Sequence, residues 1–441
     1  MSDVAQLAPL VEPGDELTAA ELQRYSRHIL IPEMGVVGQR RLKNARVLVI
    51  GAGGLGSPVL LYLAAAGVGN LGIIDNDTVD LSNLQRQIIH GVADLGHSKL
   101  ESAAAAVAEL NPLVSVHQHD VWLDSANALE LFAHYDLIVD GADNFATRYL
   151  VSDAAAMLGK PCVWGSILRF DGQVSVFWNE HGPTYRDLYP EAPPAGSVPN
   201  CAEGGVFGML CGTIGGAMVA EAVKLITGVG RTLLGRVVLV NAFDASWREL
   251  AIARDPANKP TTELIDYDVF CDTAPTSNQG DQAISVHELA AMLESRKRGE
   301  RDFDLIDVRE PGEYDIVHIA GALLIPQGGI LSGEAVSSLS RERDIVVHCK
   351  AGARSAAVLA ELHGRGYDRV WQVEGGIDAW VREIAPVLPV YSRAARVNSC
   401  LLSELLPSSP AWIGRAGQRS TDSASGVAMR SGATPPVTAT R

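Results

Sequence analysis

Cysteine, basic residues and long apolar runs are all scarce in this sequence. Six cysteines are spread over 441 residues, and none belongs to a Cys-x-x-Cys pair. This spacing makes a poor disulfide framework, so we expect any functional cysteine to act as a thiol. No apolar run stands out as long enough to span a bilayer, so we expect a protein without a membrane-spanning segment.

Acidic residues outnumber basic ones by 52 to 36, which gives a formal net charge of -16. This balance disfavours nucleic acid as a direct partner. Residues 1–6 provide neither the basic start nor the apolar stretch of a secretory signal, so the sequence predicts a cytoplasmic protein. The length predicts two or three domains with sizeable cores.

A glycine-rich stretch organises the first two-thirds of the chain. Residues 47–50 have the pattern of a buried parallel strand, Gly51-x-Gly53-x-x-Gly56 that of a tight turn, and the residues from Pro58 that of a helix. Amide groups at such a helix start bind phosphate, although a lone glycine motif also serves plain strand–helix packing. A second strand, residues 71–75, ends in a carboxylate about twenty residues later, where dinucleotide-binding folds hold a ribose hydroxyl.

Polar residues after the second strand favour a nucleoside triphosphate over a dinucleotide. Residues 75–87 hold clustered carboxylates, an amide and Arg86, a set that suits magnesium and phosphate. Lys99 opens an alanine-rich helix, where a cation is unfavourable unless an anion lies nearby, so it is a candidate phosphate ligand. Asp143 follows a third strand, and we expect it beside the glycine turn as a ligand, as a helix cap, or as both.

Two cysteines have the sequence context of reactive thiols. Cys201 follows a proline-rich loop, residues 179–200, and precedes a helix of small residues, a junction that lowers thiol pKa values. Cys349 follows an apolar strand and begins the loop Cys349-Lys-Ala-Gly-Ala-Arg354, which leads into another helix. Four residues separate this cysteine and arginine, one fewer than in a phosphatase loop, so the cradle is tighter and favours a persulfide.

The composition divides the chain into five segments. We predict an N-terminal arm (1–16), a doubly wound α/β nucleotide-binding domain (17–253) and a linker (254–283). A smaller α/β domain (284–391) and a disordered basic tail (392–441) follow.

Together these residues resemble the ThiF/MoeB superfamily of ATP-dependent activators of small ubiquitin-like sulfur carriers, in its MoeZ type with a fused rhodanese domain. The resemblance spans about residues 17–390. It implies a Rossmann-like doubly wound ThiF/MoeB domain followed by a smaller rhodanese α/β domain. The motifs that carry it are Arg24-Tyr-Ser-Arg27-His, Gly51-Ala-Gly-Gly-Leu-Gly56, Asp75-Asn-Asp77, Ser82-Asn-Leu-Gln-Arg86-Gln, Lys99, Asp143-Asn144, Cys201-Ala-Glu-Gly-Gly205, Asp307-Val-Arg309-Glu, His318-Ile-Ala-Gly-Ala, Cys349 to Arg354 and Val373-Glu-Gly-Gly376.

The resemblance also implies the residues of an ATP site. Gly54 and Asp75 would hold the adenosine part, and Asp143 would bind Mg2+. The remaining nucleotide-binding positions are Arg27, Ser82, Asn83, Leu84, Gln85, Arg86, Lys99 and Asn144.

Within that set, Arg27, Asn83 and Lys99 would contact the triphosphate. Arg86 would be catalytic and would come from the neighbouring subunit of a homodimer, so that each ATP site is shared.

For the thiols, the resemblance implies two different steps. Cys349 would carry a persulfide in the loop closed by Arg354. Cys201 would take part in a carrier thioester or acyl-disulfide step.

The implied function is ATP-dependent adenylation of the C-terminal glycine of a small β-grasp sulfur carrier, followed by sulfur transfer from Cys349 to form a thiocarboxylate. A cysteine desulfurase or thiosulfate would supply the sulfur. The sequence does not decide between molybdopterin, thiamin, cysteine and tRNA thiolation as the pathway. Two alternatives are a non-enzymatic carrier-binding scaffold and an NAD-dependent oxidoreductase fused to a phosphatase-like domain.

Zinc is not expected. Many relatives hold a structural zinc with two Cys-x-x-Cys pairs, one of them in a Cys-Tyr-Arg-Cys context. Here that context is Thr184-Tyr-Arg-Asp187, and residues 258–262 lack the second pair. Four thiolates cannot be assembled, so the sequence predicts ATP and Mg2+ but no zinc.

Overall fold

The computed structural model describes residues 7–193, 204–259, 261–271 and 282–390. Cys201 and the predicted tail therefore lie outside the described residues. The described residues form two sheets, each covered by helices.

The first unit is built on an eight-stranded sheet in the order β3-β2-β1-β4-β5-β6-β7-β8. Its strands are Arg46–Ile50 (β1), Asn70–Ile74 (β2), Ser115–His119 (β3), Leu137–Asp140 (β4), Cys162–Leu168 (β5), Asp171–Phe177 (β6), Arg236–Asn241 (β7) and Ser246–Ala251 (β8). Strands β1 to β5 are parallel, and the pairs from β5 to β8 are antiparallel. The strand order reverses between β1 and β4, which is where doubly wound sheets bind their ligands.

Helices cover both faces of this sheet. They are Ala19–Arg24 (α1), Ser26–Ile29 (α2), Gly35–Asn44 (α3), Gly56–Ala66 (α4), Lys99–Leu110 (α5), Ala128–Ala133 (α6), Phe145–Met157 (α7), Tyr185–Leu188 (α8), Gly208–Thr227 (α9) and Tyr267–Phe270 (α10). In β1, Val47 and Val49 pack into the core that includes α4, α5 and α9, whereas Leu48 and Ile50 pack into the core that includes α6 and α7. Burial on both faces explains the continuous apolar run of residues 47–50.

Helix α9 corrects the expectation about apolar segments. By length and composition its 20 residues are sufficient to cross a membrane. However, Leu210, Ile214 and Met218 are fully buried in the core of the first unit. In this fold α9 is therefore a central core helix.

The predicted N-terminal arm and the predicted linker both pack against helices of the first unit. In the predicted arm, Val11 is buried and the Leu10 amide donates to the Leu225 carbonyl. In the predicted linker, Tyr267 is buried and its hydroxyl donates to Asp153 at 2.7 Å. Cys271 is buried in the same core as Tyr267. The structure thus extends the first unit well beyond residue 253.

The predicted loop at residues 179–200 is more ordered than expected up to residue 193. It contains α8, whose Tyr185 is almost fully buried. Asp187, in the same helix, accepts hydrogen bonds from the Thr184 amide, the Asp255 amide and the Asn258 side chain at 2.7, 2.9 and 2.9 Å. Burial opposes ionisation, but these donors outweigh it and lower the pKa of Asp187. A carboxylate thus joins the segments around residues 184–187 and 255–258, where the sequence lacks the cysteines of a zinc site.

We expect the purified protein to contain no stoichiometric zinc, and chelator to leave its unfolding midpoint unchanged. Asp187→Ala should lower the free energy of unfolding by about 2 kcal/mol, because it leaves partly buried donors unpaired. Glu263 is an exposed carboxylate in the predicted linker, and Glu263→Ala is the control with no comparable loss. Elemental analysis and urea titration measure both effects. One zinc per chain, or a chelator-induced loss of stability, would contradict this prediction.

The second unit has a five-stranded parallel sheet in the order β11-β10-β12-β13-β9. Its strands are Ala283–Ile284 (β9), Phe303–Asp307 (β10), Leu323–Leu324 (β11), Asp344–His348 (β12) and Val370–Val373 (β13). Its helices are Val286–Lys297 (α11), Pro311–Ile316 (α12), Gln327–Leu331 (α13), Ala353–Gly364 (α14) and Gly376–Glu383 (α15). The central strand β12 ends one residue before Cys349, as the sequence predicts.

Candidate functional site

The glycine turn joins β1 to α4, and its geometry excludes larger residues. A Cβ added at Gly56 would lie 1.8 Å from the Gly51 carbonyl oxygen. Gly51 has a φ of 85° and donates its amide to the Ile74 carbonyl at 2.8 Å. The predicted turn is therefore confirmed, and the helix begins at Gly56 rather than Pro58.

Asp75 lies at the end of β2 and is held against this turn. Its Oδ2 accepts from the Ala52 amide at 2.8 Å, and its Oδ1 accepts from the Asp77 amide at 2.9 Å. Burial raises the pKa of Asp75, while the positive charge of Lys99 opposes that shift. The carboxylate is thus positioned where the sequence places the ribose contact.

Lys99 starts α5 and is only 6% exposed. Its Nζ lies 2.9 Å from Oδ2 of Asp77, whose side chain is exposed. A buried lysine beside a glycine turn, with its carboxylate partner open to solvent, can exchange that partner for a phosphate group. The geometry supports Lys99 as a phosphate ligand and adds Asp77, which the sequence singled out only as part of a motif.

The segment after Asp80 places Arg86 at the glycine turn of its own chain. Asp80 caps the short turn at residues 81–83, and the Asn83 side chain accepts in return from the Asp80 amide at 3.3 Å. Arg86 donates to the Ser82 carbonyl at 3.1 Å, and its Cδ lies 3.6 Å from the position of a Cβ at Gly54. Within one chain Arg86 already lies beside the glycine turn, which favours a site built from a single chain over the implied contribution of a neighbouring subunit.

The neighbouring motif residues take structural positions beside the site. The Gln85 carbonyl oxygen lies 2.5 Å from the position of a Cβ at Gly208, so this segment packs on the start of α9. Leu84 is half-buried, and Gln85 is exposed. Cys211 of α9 lies under the turn, its Sγ 2.9 Å from the position of a Cβ at Gly54.

Sequence reasoning missed two buried polar residues at this turn. Gln87 is 4% exposed, and within the described part of the chain its Oε1 has no hydrogen-bond partner. Its Nε2 lies 3.6 Å from the position of a Cβ at Gly53. His90 contacts the Ala52 carbonyl and Ser102 at 3.0 and 2.7 Å, and burial lowers its pKa. The only sequence signal for Gln87 is its place at the end of the Ser82 motif.

The sequence left two roles open for Asp143, as a ligand and as a helix cap. In the structure the capping residue is its neighbour in the loop after β4. Asn144 is the helix cap, because its Oδ1 accepts from the Thr147 amide at 2.8 Å. Asp143 is exposed and has no capping bond. The Gly141 amide donates to the Ile50 carbonyl at 3.1 Å, so this loop lies beside the glycine turn.

Two unpredicted residues hold this loop in shape. Asp140 accepts from the Ala142 amide at 2.9 Å, and Arg148 donates to the Ala142 carbonyl at 3.2 Å. Both side chains are buried, and burial raises the pKa of Asp140 to about 6. Their hydrogen bonds to Ala142 hold the loop that carries Asp143.

The residues present fit magnesium bound mainly by phosphate and water. Among the described ranges, no group of three or more His, Cys, Asp or Glu side chains is placed to hold a metal. Mg2+ is usually bound by one or two carboxylates together with substrate phosphates. The exposed Asp143 provides one such carboxylate.

Arg27 is not brought to this site within one chain. It lies two residues after Tyr25, whose hydroxyl accepts from Asn111 at 2.8 Å and whose ring lies against Gly67. Gly67 and Asn111 end α4 and α5, the helices whose opposite ends carry the glycine turn and Lys99. Because α4 is about 16 Å long, Arg27 lies near the far end of the unit.

The second site is the loop that starts at Cys349. The Gly352 amide donates to Sγ at 3.1 Å, and Oγ of Ser355 lies 3.5 Å from Sγ. The start of α15 supports the loop, since the amides of Ile377 and Asp378 donate to the carbonyls of Cys349 and Lys350 at 2.9 and 3.1 Å. An amide aimed at sulfur next to a helix start stabilises a thiolate or persulfide anion.

Close backbone packing fixes this loop as well. A Cβ added at Gly376 would lie 2.4 Å from the Cys349 carbonyl oxygen. Cys349 itself is 1% exposed. Arg354 forms a bidentate pair with Glu313, a residue that the sequence did not single out.

Comparison with known proteins identifies both folds. The ThiF family matches residues 25–261. The chain belongs to the ThiF family. In this ThiF-family chain, residues 285–383 match the rhodanese-like domain, which confirms the predicted order of the two folds.

Three relatives of this ThiF-family chain illustrate the resemblance. The probable adenylyltransferase/sulfurtransferase MoeZ of Mycobacterium tuberculosis is 53% identical over 393 residues, covering 87% of this chain and 99% of the relative. The adenylyltransferase and sulfurtransferase MOCS3 of Drosophila ananassae is 38% identical, with 85% and 87% covered. The sulfur carrier protein adenylyltransferase of Thermus thermophilus is 50% identical, with 58% and 98% covered. They confirm the predicted adenylyltransferase and sulfurtransferase class.

We expect Asp143→Ala to abolish nucleotide-dependent adenylation and to leave sulfur transfer from thiosulfate to cyanide intact. The first activity needs the exposed carboxylate at the glycine turn, whereas the second needs only the Cys349 loop. ATP–pyrophosphate exchange and thiocyanate formation measure the two activities. Asp120→Ala removes an exposed carboxylate beyond β3 and should affect neither. Parallel loss of both activities in a folded Asp143→Ala protein would refute the assignment of two sites.

Proposed function

We propose that this ThiF-family enzyme adenylates the C-terminal glycine of a small β-grasp sulfur carrier and converts it to a thiocarboxylate. The observation that carries the proposal is the convergence of Asp75, Arg86, Lys99 and the Asp143 loop on one glycine turn, in a chain that also holds the Cys349 loop. We place the enzyme in the cytoplasm, where ATP and free thiols are both available.

In the first reaction, the carrier carboxylate attacks the α-phosphorus of ATP and pyrophosphate leaves. The carboxylate is unreactive until it has a good leaving group, and adenylate supplies one. Asp75 holds the ribose, while Lys99 and Arg86 balance charge on the phosphates. Asp143 would hold Mg2+, which supplies further neutralisation of the triphosphate when bound.

In the second reaction, the outer sulfur of a Cys349 persulfide attacks the acyl carbon and AMP leaves. A thiol then attacks Sγ of Cys349 in this acyl disulfide: the S–S bond breaks, the thiocarboxylate leaves, and a new disulfide joins Cys349 to the attacking thiol. A dithiol reductant returns both cysteines to thiols. Cys201, outside the described residues, is proposed for this step or for a thioester that precedes it. The donor that loads Cys349 is a persulfide-bearing protein such as a cysteine desulfurase, or thiosulfate.

We expect Cys349→Ala to eliminate persulfide labelling and thiocarboxylate formation while adenylation continues, because the activation site does not use this thiol. Cys201→Ala should keep labelling and adenylation and slow only transfer to the carrier. Intact-mass analysis of the carrier after incubation with ATP and a sulfur donor measures the outcome. Cys271→Ala, at a buried core thiol, is the control for cysteine removal alone.

Free sulfide has to be excluded from this experiment, since it attacks the acyl-adenylate directly. A full mass gain of one sulfur for oxygen with the Cys349→Ala protein, in the absence of sulfide, would rule out the persulfide role.

We also propose that the enzyme is a homodimer in which Arg27 completes the ATP site of its partner. Arg27 is exposed and lies near the far end of its own unit. Five apolar residues close to Arg27 in the sequence have side chains that are 42% to 69% exposed, namely Leu22, Leu30, Ile31, Val36 and Val37. Exposed apolar groups in such number on one short segment favour a protein interface.

We expect a mixture of Arg27→Ala and Asp143→Ala proteins to regain about a quarter of wild-type adenylation, because half of the dimers then contain one complete site. A mixture of Arg86→Ala and Asp143→Ala should regain nothing, since both groups belong to one chain. ATP–pyrophosphate exchange after verified subunit exchange measures the recovery. Recovery in the Arg86 mixture alone would instead support an Arg86 supplied by the neighbour.

A further inference from the structure

The cation that closes the Cys349 loop is neutralised by a carboxylate. Nη1 and Nη2 of Arg354 lie 2.6 and 2.8 Å from the two carboxylate oxygens of Glu313. The two side chains are only 11% and 5% exposed. Glu313 is fixed in turn, because its Oε2 accepts from the Glu310 amide at 3.0 Å. A bidentate pair shielded from water keeps the Arg354 charge directed at Glu313.

The second cation of the loop is also balanced. Asp378, at the start of α15, is half-buried, and its amide donates to the Lys350 carbonyl at 3.1 Å. Burial raises the pKa of Asp378, and the positive charge of Lys350 is the largest influence that opposes this shift. Lys350 and Arg354 therefore each interact with a carboxylate, Lys350 with Asp378 and Arg354 with Glu313.

With both side-chain cations balanced, the groups in contact with the sulfur are the backbone and the uncharged Ser355 hydroxyl. The Gly352 amide donates to Sγ, and α14 begins at Ala353. Partial charges of this kind suit a single negative charge. A dianion gains twice as much from a positive potential as a monoanion does, so neutralising the two side-chain cations disfavours dianions most.

We propose that Glu313 is a specificity-determining residue for sulfur transfer. By pairing with Arg354 it lowers the affinity of the loop for dianionic donors such as thiosulfate, and so favours a monoanionic persulfide donor. This inference rests on the proposed sulfur transfer at Cys349.

The chemistry balances with either donor. With a persulfide, R–S–S⁻ and the Cys349 thiol give R–SH and a Cys349 persulfide anion: an S–S bond forms at Sγ, the donor S–S bond breaks, and the thiol proton ends on the donor sulfur. With thiosulfate, the Cys349 thiolate takes the outer sulfur and sulfite leaves. Neither step needs an external oxidant or reductant.

The test is Glu313→Gln, which keeps the size of the side chain and removes its charge. We expect the KM for thiosulfate to fall roughly fivefold and the KM for cysteine persulfide roughly twofold, since the effect on a dianion is about the square of that on a monoanion. The kcat for thiocyanate formation should stay the same. The KM for thiosulfate should also rise more steeply with salt in the variant. Asp315→Asn removes an exposed carboxylate of the same helix and should change neither KM.

Other outcomes would overturn the proposal. A fall in kcat with both KM values unchanged would show that Glu313 only maintains the fold of the loop. If Glu313→Gln does not fold, Asp378→Asn should produce the same selective fall in the KM for thiosulfate, and its failure to do so counts against the proposal. A wild-type protein that accepts sulfur from neither donor would refute the proposed function, and this inference with it.

Discussion

One backbone contact determines the shape of the nucleotide site. The first residue of α4 passes so close to the carbonyl of Gly51 that only glycine fits at position 56. This approach brings the free amides of the helix to the end of β1, between the carboxyl ends of β2 and β4. Asp75 and the Asp143 loop then reach the same crevice from the two neighbouring strands. A single side chain at Gly56 would separate the helix from the strand and disperse all of these groups.

Features encoded over a few residues were predictable from the sequence. The glycine turn after β1 and the strand that delivers Cys349 depend on local backbone conformation and periodicity, and the structure contains both. The lysine at the start of α5 was predictable for a related reason, because its position conflicts with the helix dipole unless an anion binds there.

Features that join distant parts of the chain were not predictable. Arg27 lies in a local motif, but its distance from the glycine turn depends on how α1 and α2 pack at the ends of α4 and α5. Two partners of Asp187, namely Asp255 and Asn258, lie about seventy residues away, and Glu313 and Arg354 are 41 residues apart. No local pattern encodes such pairs, because their energies come from tertiary packing. The sequence analysis overlooked the apolar length of α9, and only packing shows that this helix lies in the core.

The Asp187 cluster has a consequence for an enzyme that handles reactive sulfur. Thiolates that hold a metal are nucleophiles as well, and persulfides and oxidants convert them to species that no longer bind it. Here oxygen and nitrogen groups join the corresponding segments, and the thiols of Cys162, Cys211 and Cys271 are buried. In the described part of the chain, therefore, no metal-binding thiolate is present that the transferred sulfur could modify.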